Sequence, residues 1–192
     1  MATRVVIAED EAIIRLDLKE MLEEEGYEVV AESGRGDEAI DLVREHQPDL
    51  AILDVKMPGL DGISAAQQIT DMKTTAVLIL TAFSQRHLIE RARDAGALAY
   101  LVKPFQKAEL VPAIEVALGR LRDMQAMADE ARDLEEQLET RKLVDRAKGL
   151  LMDQHGLSEA EAFTFIQRTA MSDRQTMSAV ATRVVEGDLT PA

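Results

Sequence analysis

The first hundred residues alternate short apolar runs with segments that carry apolar residues at helical spacing. Apolar runs of this length, rich in β-branched residues and separated by helical patterns, are typical of parallel strands buried on both faces. The pattern predicts an α/β fold with a doubly wound, flavodoxin-like sheet of five parallel strands in the order 2-1-3-4-5. The predicted strands are the runs RVVIA, YEVVAES, LAILD, AVLILTA and LAYLV, and the predicted helices cover 12–24, 36–45, 63–71 and 86–94.

A different pattern begins near Lys107. From there to about Thr140 the chain has a single glycine and, after Pro112, no further proline, which predicts one long helix. Apolar residues along this helix alternate spacings of three and four, as in a coiled-coil seam. The seam consists of Met124, Met127, Ala131, Leu134 and Leu138. A two-chain coiled coil and a solvent-exposed linker helix with a weak apolar stripe are both compatible with this pattern.

The last part of the chain predicts a compact all-α module of three helices over 141–185. SEAE, from Ser158 to Glu161, has the spacing of a capping box, and SDRQ, from Ser172 to Gln175, repeats it. We therefore predict that one helix begins at each of these two motifs. The pattern divides the chain into an α/β domain over 1–120, a helical linker over 121–140 and the helical module over 141–188.

Composition limits the classes of protein that remain. The longest apolar runs are far shorter than the ~20 residues that cross a bilayer, and the N-terminus lacks the layout of a secretory signal, so we expect a cytoplasmic protein without a membrane segment. The absence of cysteine excludes disulfides and thiolate metal sites. The net charge of -14 disfavours general nucleic-acid binding, but residues 140–183 carry a local excess of basic over acidic side chains.

Polar side chains stand at the ends of four predicted strands. Glu9 and Asp10 follow the first, Asp54 ends the third, Thr81 ends the fourth and Lys103 follows the fifth. In an open parallel sheet, ligands bind beyond the carboxyl ends of the strands, where the strand order reverses. Like charges about 4 Å apart repel by roughly 4 kcal/mol at an effective dielectric constant near 20, so three converging carboxylates favour a hard divalent cation. We predict Mg²⁺.

The hydroxyl and the ammonium extend the prediction to phosphoryl chemistry. Carboxylates, a metal, Thr81 and Lys103 together suit a phosphoryl group, with Asp54 as the attacking nucleophile that becomes an acyl phosphate. The turn at Pro58 and Gly59 would leave room for the donor. Each residue alone has an ordinary explanation as a cap, a turn former or a strand former. Their joint occurrence at strand ends favours a phosphorylation site at Asp54.

The motifs IAEDE, LDVKMPGLDG, LTA and AYLVKPF make residues 1 to about 120 resemble the receiver domain of two-component response regulators, which has the CheY-like fold. The resemblance implies that a cognate histidine kinase phosphorylates Asp54. It also implies a cis bond between Lys103 and Pro104. One departure from the family pattern is Glu9, where aspartate is commoner. We expect a slight shift of the metal there, and not inactivity.

The same resemblance implies the roles of the other pocket residues. Glu9, Asp10, Asp54 and the backbone carbonyl of Lys56 would hold Mg²⁺. Lys103 would contact the phosphoryl group. Thr81 and Tyr100 would reorient on activation.

A second resemblance concerns the helical module. RAKGLLMDQHGLSEAEAFTFIQRTAM followed by VATRVV resembles the ANTAR domain of transcription antitermination regulators, over about 137–188. This implies binding to RNA hairpins by a homodimer, whose assembly could depend on phosphorylation. Small residues would allow close backbone approach and basic residues would reach phosphates. We expect these contacts from Arg141, Arg146, Ala147, Lys148 and Gly149, although the basic residues could simply solvate an amphipathic helix.

Three other functions deserve comparison. A DNA-binding regulator would use a recognition helix over 174–185, which exposes only Arg174 and Arg183 as basic residues and is poor for a groove. A phosphatase would place a second aspartate two positions after the nucleophile, where this chain has Lys56. We therefore expect a regulator with slow self-dephosphorylation at most, and not an enzyme. A protein-interaction adaptor would keep its partner after loss of Arg146 and Lys148.

Overall fold

The computed structural model describes residues 2–82 and 86–191. A five-stranded parallel sheet forms the first part of the fold, in the order β2-β1-β3-β4-β5. The predicted fold class and strand order are confirmed. The strands are β1 (Arg4–Ala8), β2 (Glu28–Ser33), β3 (Leu50–Asp54), β4 (Ala76–Thr81) and β5 (Ala99–Val102).

Seven helices lie in the described part of the chain: α1 (Ala12–Glu24), α2 (Gly36–His46), α3 (Gly62–Thr70), α4 (Arg86–Asp94), α5 (Lys107–His155), α6 (Glu159–Asp173) and α7 (Met177–Glu186). The first four lie within one residue of their predicted bounds. Helix α3 begins at Gly62 because the carboxylate of Asp61 accepts the backbone N–H groups of Ile63 and Ser64 and so caps the helix.

Two hydrophobic clusters cover the two faces of the sheet. Successive strand residues point to opposite faces, so Val6 and Leu53 pack toward α2 and α3, whereas Ile7 and Ile52 pack toward α1 and the first part of α5. Every residue of β3 is buried. Because β3 is buried on both faces, only the residues at its ends can contact solvent or a ligand. Its last residue is Asp54.

The chain divides into two compact units, Met1–Ala126 and Met127–Ala192. The first contains the sheet with α1 to α4 and the start of α5. The second contains the rest of α5 with α6 and α7, which pack around a small apolar core. That core includes Val144, Ala147, Leu151, Ala162, Ile166, Ala170, Val180, Ala181 and Val184.

Two predictions about the helical part are wrong. We predicted a helix boundary near Thr140, but α5 is one helix of 49 residues. The sequence around Thr140 contains no glycine or proline, and an ion pair at helical spacing joins Glu139 to Lys142 at 2.7 Å, so nothing stops the helix there. Helix α5 ends only before Gly156, which has a positive φ of 66°.

The second wrong prediction is the helix start at Ser172. Helix α6 continues past Ser172 to Asp173 and ends at Arg174, which has a left-handed conformation. The residue that caps α7 is Thr176, whose hydroxyl accepts the N–H of Ala179. The predicted capping box at Ser158 and Glu161 is confirmed. Among the residues described, no helix combines the length and apolar content that crossing a bilayer requires.

Candidate functional site

Three carboxylates converge at the carboxyl ends of β1 and β3. These strands are neighbours in the sheet, with Ala8 opposite Leu53, so the residues that follow them meet at one edge. Glu9, Asp10 and Asp54 each offer a carboxylate oxygen, and the three oxygens lie within 4.8 Å of one another. Glu9 and Asp54 are buried, whereas Asp10 is exposed. The structure therefore brings together the acids that the sequence predicted for one pocket.

The ammonium group of Lys103 bridges the two buried carboxylates. Its Nζ lies 2.5 Å from Oε2 of Glu9 and 2.7 Å from Oδ1 of Asp54. Lys103 reaches them because its backbone N–H donates to the carbonyl of Thr81 at 2.8 Å, which continues the pairing of β4 with β5. Burial alone lowers the pKa of Lys103, but the hydrogen bonds and attraction of Asp54 and Glu9 outweigh it and raise this pKa. The lysine is therefore charged at neutral pH.

The remaining oxygens of these carboxylates accept backbone N–H groups. Oδ2 of Asp54 accepts from Lys56 at 2.8 Å, and Oε1 of Glu9 accepts from Glu11 at 3.2 Å. Burial raises the pKa of Glu9, and the neighbouring charge of Asp54 acts in the same direction, whereas Lys103 opposes both. Both buried acids are thus fully engaged, which offsets the free energy that burying an ionised acid would otherwise cost.

A glycine allows α3 to start directly against the end of β3. A Cβ atom at Gly62 would lie only 1.8 Å from the backbone oxygen of Asp54, so no other residue fits there without backbone movement. The N–H of Gly62 donates to the carbonyl of Val55 at 3.0 Å. The loop between β3 and α3 is therefore held closely beside the pocket, and Lys56 lies within it.

The predicted switch residues lie on neighbouring strands. Thr81 is buried at the end of β4, and Tyr100 on β5 is about half exposed, at 48%. Thr81 lies opposite Val102, two residues after Tyr100, so Thr81 and Tyr100 are diagonal neighbours on the same face of the sheet. This placement is compatible with a coupled movement. The reorientation itself stays a prediction.

Sequence reasoning missed one residue at the pocket. Nη1 of Arg15 donates to the backbone carbonyl of Glu9 at 2.5 Å, and Nε lies 3.6 Å from Oε2 of Glu32 on β2. Arg15 therefore ties α1 and β2 to the strand end that carries Glu9. No periodic or motif signal in the sequence indicates a contact from a helix side chain to a backbone carbonyl.

The residues predicted for the RNA surface have different environments. Ala147 is wholly buried in the core of the helical module, so its side chain packs against the other helices and is not available to a ligand. Lys148 is only 15% exposed, and its Nζ lies 2.8 Å from both Asp145 and Glu159. Arg141 and Arg146 are exposed. At Gly149 an added Cβ atom would meet nothing within 4 Å.

Comparison with known proteins identifies both parts of the chain. The family model of the response regulator receiver domain matches residues 5–115, and that of the ANTAR domain matches residues 132–185. The transcriptional regulatory protein PdtaR of Mycobacterium tuberculosis is 58% identical over 188 residues, covering 98% of this chain and 92% of that protein. The chemotaxis protein CheY of Bacillus subtilis is 39% identical over 120 residues, covering 62% of this chain and all of that protein.

Solved structures agree with the receiver assignment. The signal receiver domain of the response regulator NarL from M. tuberculosis is 30% identical, with a TM-score of 0.59, and covers 62% of this chain and 97% of that one. A CheX-CheY-BeF3-Mg complex from Borrelia burgdorferi matches with 25% identity and a TM-score of 0.56, over 58% of this chain and 86% of that one.

The chain therefore belongs to the two-component response regulators. It combines a receiver domain with a C-terminal ANTAR domain, and both predicted resemblances are confirmed. This architecture is that of a phosphorylation-controlled, non-enzymatic regulator.

Two lysines of the receiver domain allow a test of the pocket's electrostatics. Lys103→Met leaves two buried carboxylates without their cation, so we expect it to lower the free energy of unfolding by about 3 kcal/mol or more. Lys107 also contacts two carboxylates, Glu24 and Glu25, but at the surface. Lys107→Met should therefore cost much less, because exposed pairs contribute little. Urea unfolding of both variants measures the difference, and equal losses would contradict the described burial of the pocket.

Proposed function

We propose that this protein is a phosphorylation-controlled RNA-binding regulator of transcription antitermination. Asp54 accepts the phosphoryl group, and the ANTAR module binds RNA hairpins. The observation that carries the proposal is the pocket of Glu9, Asp54 and Lys103 at the strand ends of a chain that also contains an ANTAR domain. A cytoplasmic location stays a prediction.

The acidic pocket fits Mg²⁺. This ion prefers oxygen ligands about 2.0–2.1 Å away in octahedral geometry, so its ligand oxygens lie roughly 3–4 Å apart. The three carboxylate oxygens lie within 4.8 Å of one another and need only small movements to reach that arrangement. Glu9, Asp10, Asp54 and the backbone carbonyl of Lys56 would hold the ion. When bound, Mg²⁺ neutralises charge on the transferred phosphoryl group. The Borrelia CheY complex, which is similar to this chain, contains magnesium.

The protein's own side chains would bind the phosphoryl group after transfer. Lys103 already contacts Oδ1 of Asp54, so its ammonium can pair with a phosphoryl oxygen attached to that carboxylate. The phosphoryl group carries about -1.5 to -2 charges in place of the single charge of the carboxylate, which strengthens this pairing. Thr81 would donate its hydroxyl to the phosphoryl group, and Tyr100 would then turn inward. The surface around β4 and β5 would change as a result.

A histidine kinase would approach the pocket over the start of α1. Ile13 and Leu16 lie one turn apart on this helix, just after Asp10, and are 85% and 57% exposed. Two large apolar side chains so exposed beside an acidic pocket suit contact with a protein partner. We therefore include them in the surface that the cognate kinase contacts.

The double substitution of Ile13 and Leu16 by alanine tests this surface. We expect phosphotransfer from the cognate kinase to slow by about tenfold or more, because large apolar anchors often contribute 1 kcal/mol or more to binding. Phosphorylation by acetyl phosphate, which needs no protein contact, should not change. Val116→Ala, at a side chain 49% exposed on α5, is the matched control. Unchanged transfer from the kinase would exclude Ile13 and Leu16 from the contact.

One face of α5 in the second unit carries the exposed Arg146 and the half-buried Gly149, and it supports RNA binding. Arg146 and Gly149 are three residues apart and therefore neighbours on the helix surface. Glycine within a helix costs about 1 kcal/mol relative to alanine, yet no neighbouring atom requires it at this position. Bare backbone beside an arginine suits close approach of a phosphate backbone. Lys148 would contribute only after exchanging Asp145 or Glu159 for a phosphate.

The DNA-binding alternative receives less support. Helix α7 begins at Met177, so Arg174 lies outside it as the left-handed cap of α6. Arg183 on α7 pairs with Asp173 at 2.9 Å. The helix that would enter a DNA groove therefore has its arginine engaged with an acid. This arrangement is poorly suited to reading base edges.

A coiled coil between two copies would let one dimer engage two hairpins. The large seam residues Met124, Met127, Leu134 and Leu138 are each more than half exposed, which is compatible with a second copy covering them. Homodimer formation and its dependence on phosphorylation stay predictions.

The substitution Gly149→Ala should have opposite effects on protein stability and on RNA affinity. We expect it to stabilise the protein by about 0.5–1 kcal/mol, because alanine is the better helix former. We also expect it to weaken hairpin binding by about tenfold, because the added methyl group keeps the RNA backbone at a distance. Gly119→Ala is the matched control, since Gly119 also lies within α5 and an added Cβ atom there meets nothing within 4 Å.

A gel-shift titration with terminator-proximal hairpins, with and without an acyl-phosphate donor, measures both variants. The control should be stabilised equally and should bind RNA like the wild type. If Gly149→Ala binds hairpins as tightly as the wild type, this face does not contact RNA. If the wild type binds no hairpin in either state, the RNA-binding part of the proposal is wrong.

A further inference from the structure

A cleft of about 650 Å³ opens beside the phosphorylation pocket. Asp10 and Lys56 line it on the pocket side, and Leu88 and Arg91 line it from α4. Pro58, in the loop between β3 and α3, forms part of its wall. Asp10 also belongs to the acidic pocket around Asp54, so the cleft adjoins the site where a phosphoryl donor would bind. Side chains that line the cleft can therefore contact a donor that extends out of the pocket.

Arg91 differs from the other arginines of α4. Nε of Arg86 lies 3.4 Å from Glu90, and Nη2 of Arg93 lies 2.8 Å from Asp94. Arg91 forms no ion pair with any residue in the described ranges 2–82 and 86–191. Because no carboxylate in those ranges directly accepts its N–H groups, Arg91 can offer them to a ligand.

The nearby acid Asp61, which also lines the cleft, is already engaged. Its Oδ1 accepts the backbone N–H groups of Ile63 and Ser64, both at 3.1 Å, and its Oδ2 accepts the hydroxyl of Ser64 at 2.6 Å. Asp61 therefore serves as the cap of α3. Burial alone raises the pKa of Asp61, but the hydrogen bonds of Ser64 and Ile63 and the charge of Arg91 outweigh it and lower this pKa. Asp61 thus attracts Arg91 without forming a direct ion pair with it, and an incoming anion can still bind the guanidinium.

We propose that Arg91 binds the departing carboxylate of small acyl phosphates, so that the cleft is a donor site for this class of compound. The proposal rests on the proposed function, because it requires Asp54 to accept the phosphoryl group. A guanidinium matches a carboxylate with two parallel hydrogen bonds, a geometry that an ammonium group cannot reproduce.

The reaction explains why a cation at this position matters. A carboxylate oxygen of Asp54 attacks the phosphorus of acetyl phosphate, and a new oxygen–phosphorus bond forms. The bond between phosphorus and the acyl oxygen breaks, and acetate departs with the electron pair, without any proton transfer. Negative charge grows on the departing oxygen in the transition state, so a cation beside it lowers the barrier.

A second donor provides the comparison. Phosphoramidate, with its nitrogen protonated, transfers the same phosphoryl group to Asp54, but the phosphorus–nitrogen bond breaks and neutral ammonia departs. Its leaving group develops no negative charge, so Arg91 gives it no advantage. The two donors therefore separate an effect on the leaving group from an effect on the pocket or on folding.

The experiment measures the rate of phosphorylation of the full-length protein by each donor. We expect Arg91→Gln to slow the reaction with acetyl phosphate by about tenfold, the loss of one charge-assisted interaction. The rate with phosphoramidate should not fall. Arg91→Lys should restore part of the rate with acetyl phosphate, since it keeps the charge. Arg93→Gln, on the same helix but outside the cleft, should match the wild type with both donors.

Three results would overturn the proposal. The first is an unchanged rate of Arg91→Gln with acetyl phosphate. The second is an equal loss with both donors, which would indicate a general effect on the pocket. The third is an equal loss of the acetyl phosphate rate in Arg93→Gln, which would indicate that the rate depends only on the overall positive charge of α4. If neither donor phosphorylates the wild type, the proposed function fails, and this proposal fails with it.

Discussion

The ion pairs between Lys103 and two buried carboxylates are the interaction on which the receiver domain's chemistry depends. Glu9 directly follows β1 and Asp54 ends the neighbouring strand β3, and both are buried where an unpaired charge would cost several kcal/mol. Lys103 follows β5, the edge strand two positions from β3, and its Nζ lies within 2.7 Å of a carboxylate oxygen of each acid. The pairing with Lys103 allows the apolar strand β3 to end in a buried acid. The same cation is placed to receive a phosphoryl group.

The two units of the chain differ in where their charged side chains lie. The receiver pocket concentrates acids inside and engages every oxygen of its buried carboxylates. The helical module instead has an apolar core of small and medium side chains and leaves its polar residues at the surface. Within that surface, Lys148 is held by two acids, whereas Arg141 and Arg146 remain exposed. The structure thus favours the arginines over the lysine as contacts for an anionic partner.

Much of the fold and of the pocket could be predicted from the sequence. Strand bounds followed from uninterrupted apolar runs such as LAILD, and the meeting of Glu9, Asp54 and Lys103 followed from the shared edge of parallel strands. Contacts without a periodic signal could not be predicted. The hydrogen bond from Arg15 to the carbonyl of Glu9 depends on how α1 packs, which no local pattern encodes. Ala147 is a different case. It lies three residues after Val144 and four before Leu151, so helical periodicity places it on the apolar face that forms the module's core, whereas its expected RNA contact came from the family resemblance.

The measurement that tests the central claim most directly is the intact mass of the protein after incubation with Mg²⁺ and acetyl phosphate. Because the pocket is organised around a single nucleophile, the wild type should gain one phosphoryl group and Asp54→Asn should gain none. Removal of Mg²⁺ by a chelator should prevent the modification of the wild type. A wild type that stays unmodified, or an Asp54→Asn variant that is modified equally, would contradict the role of this pocket in signalling.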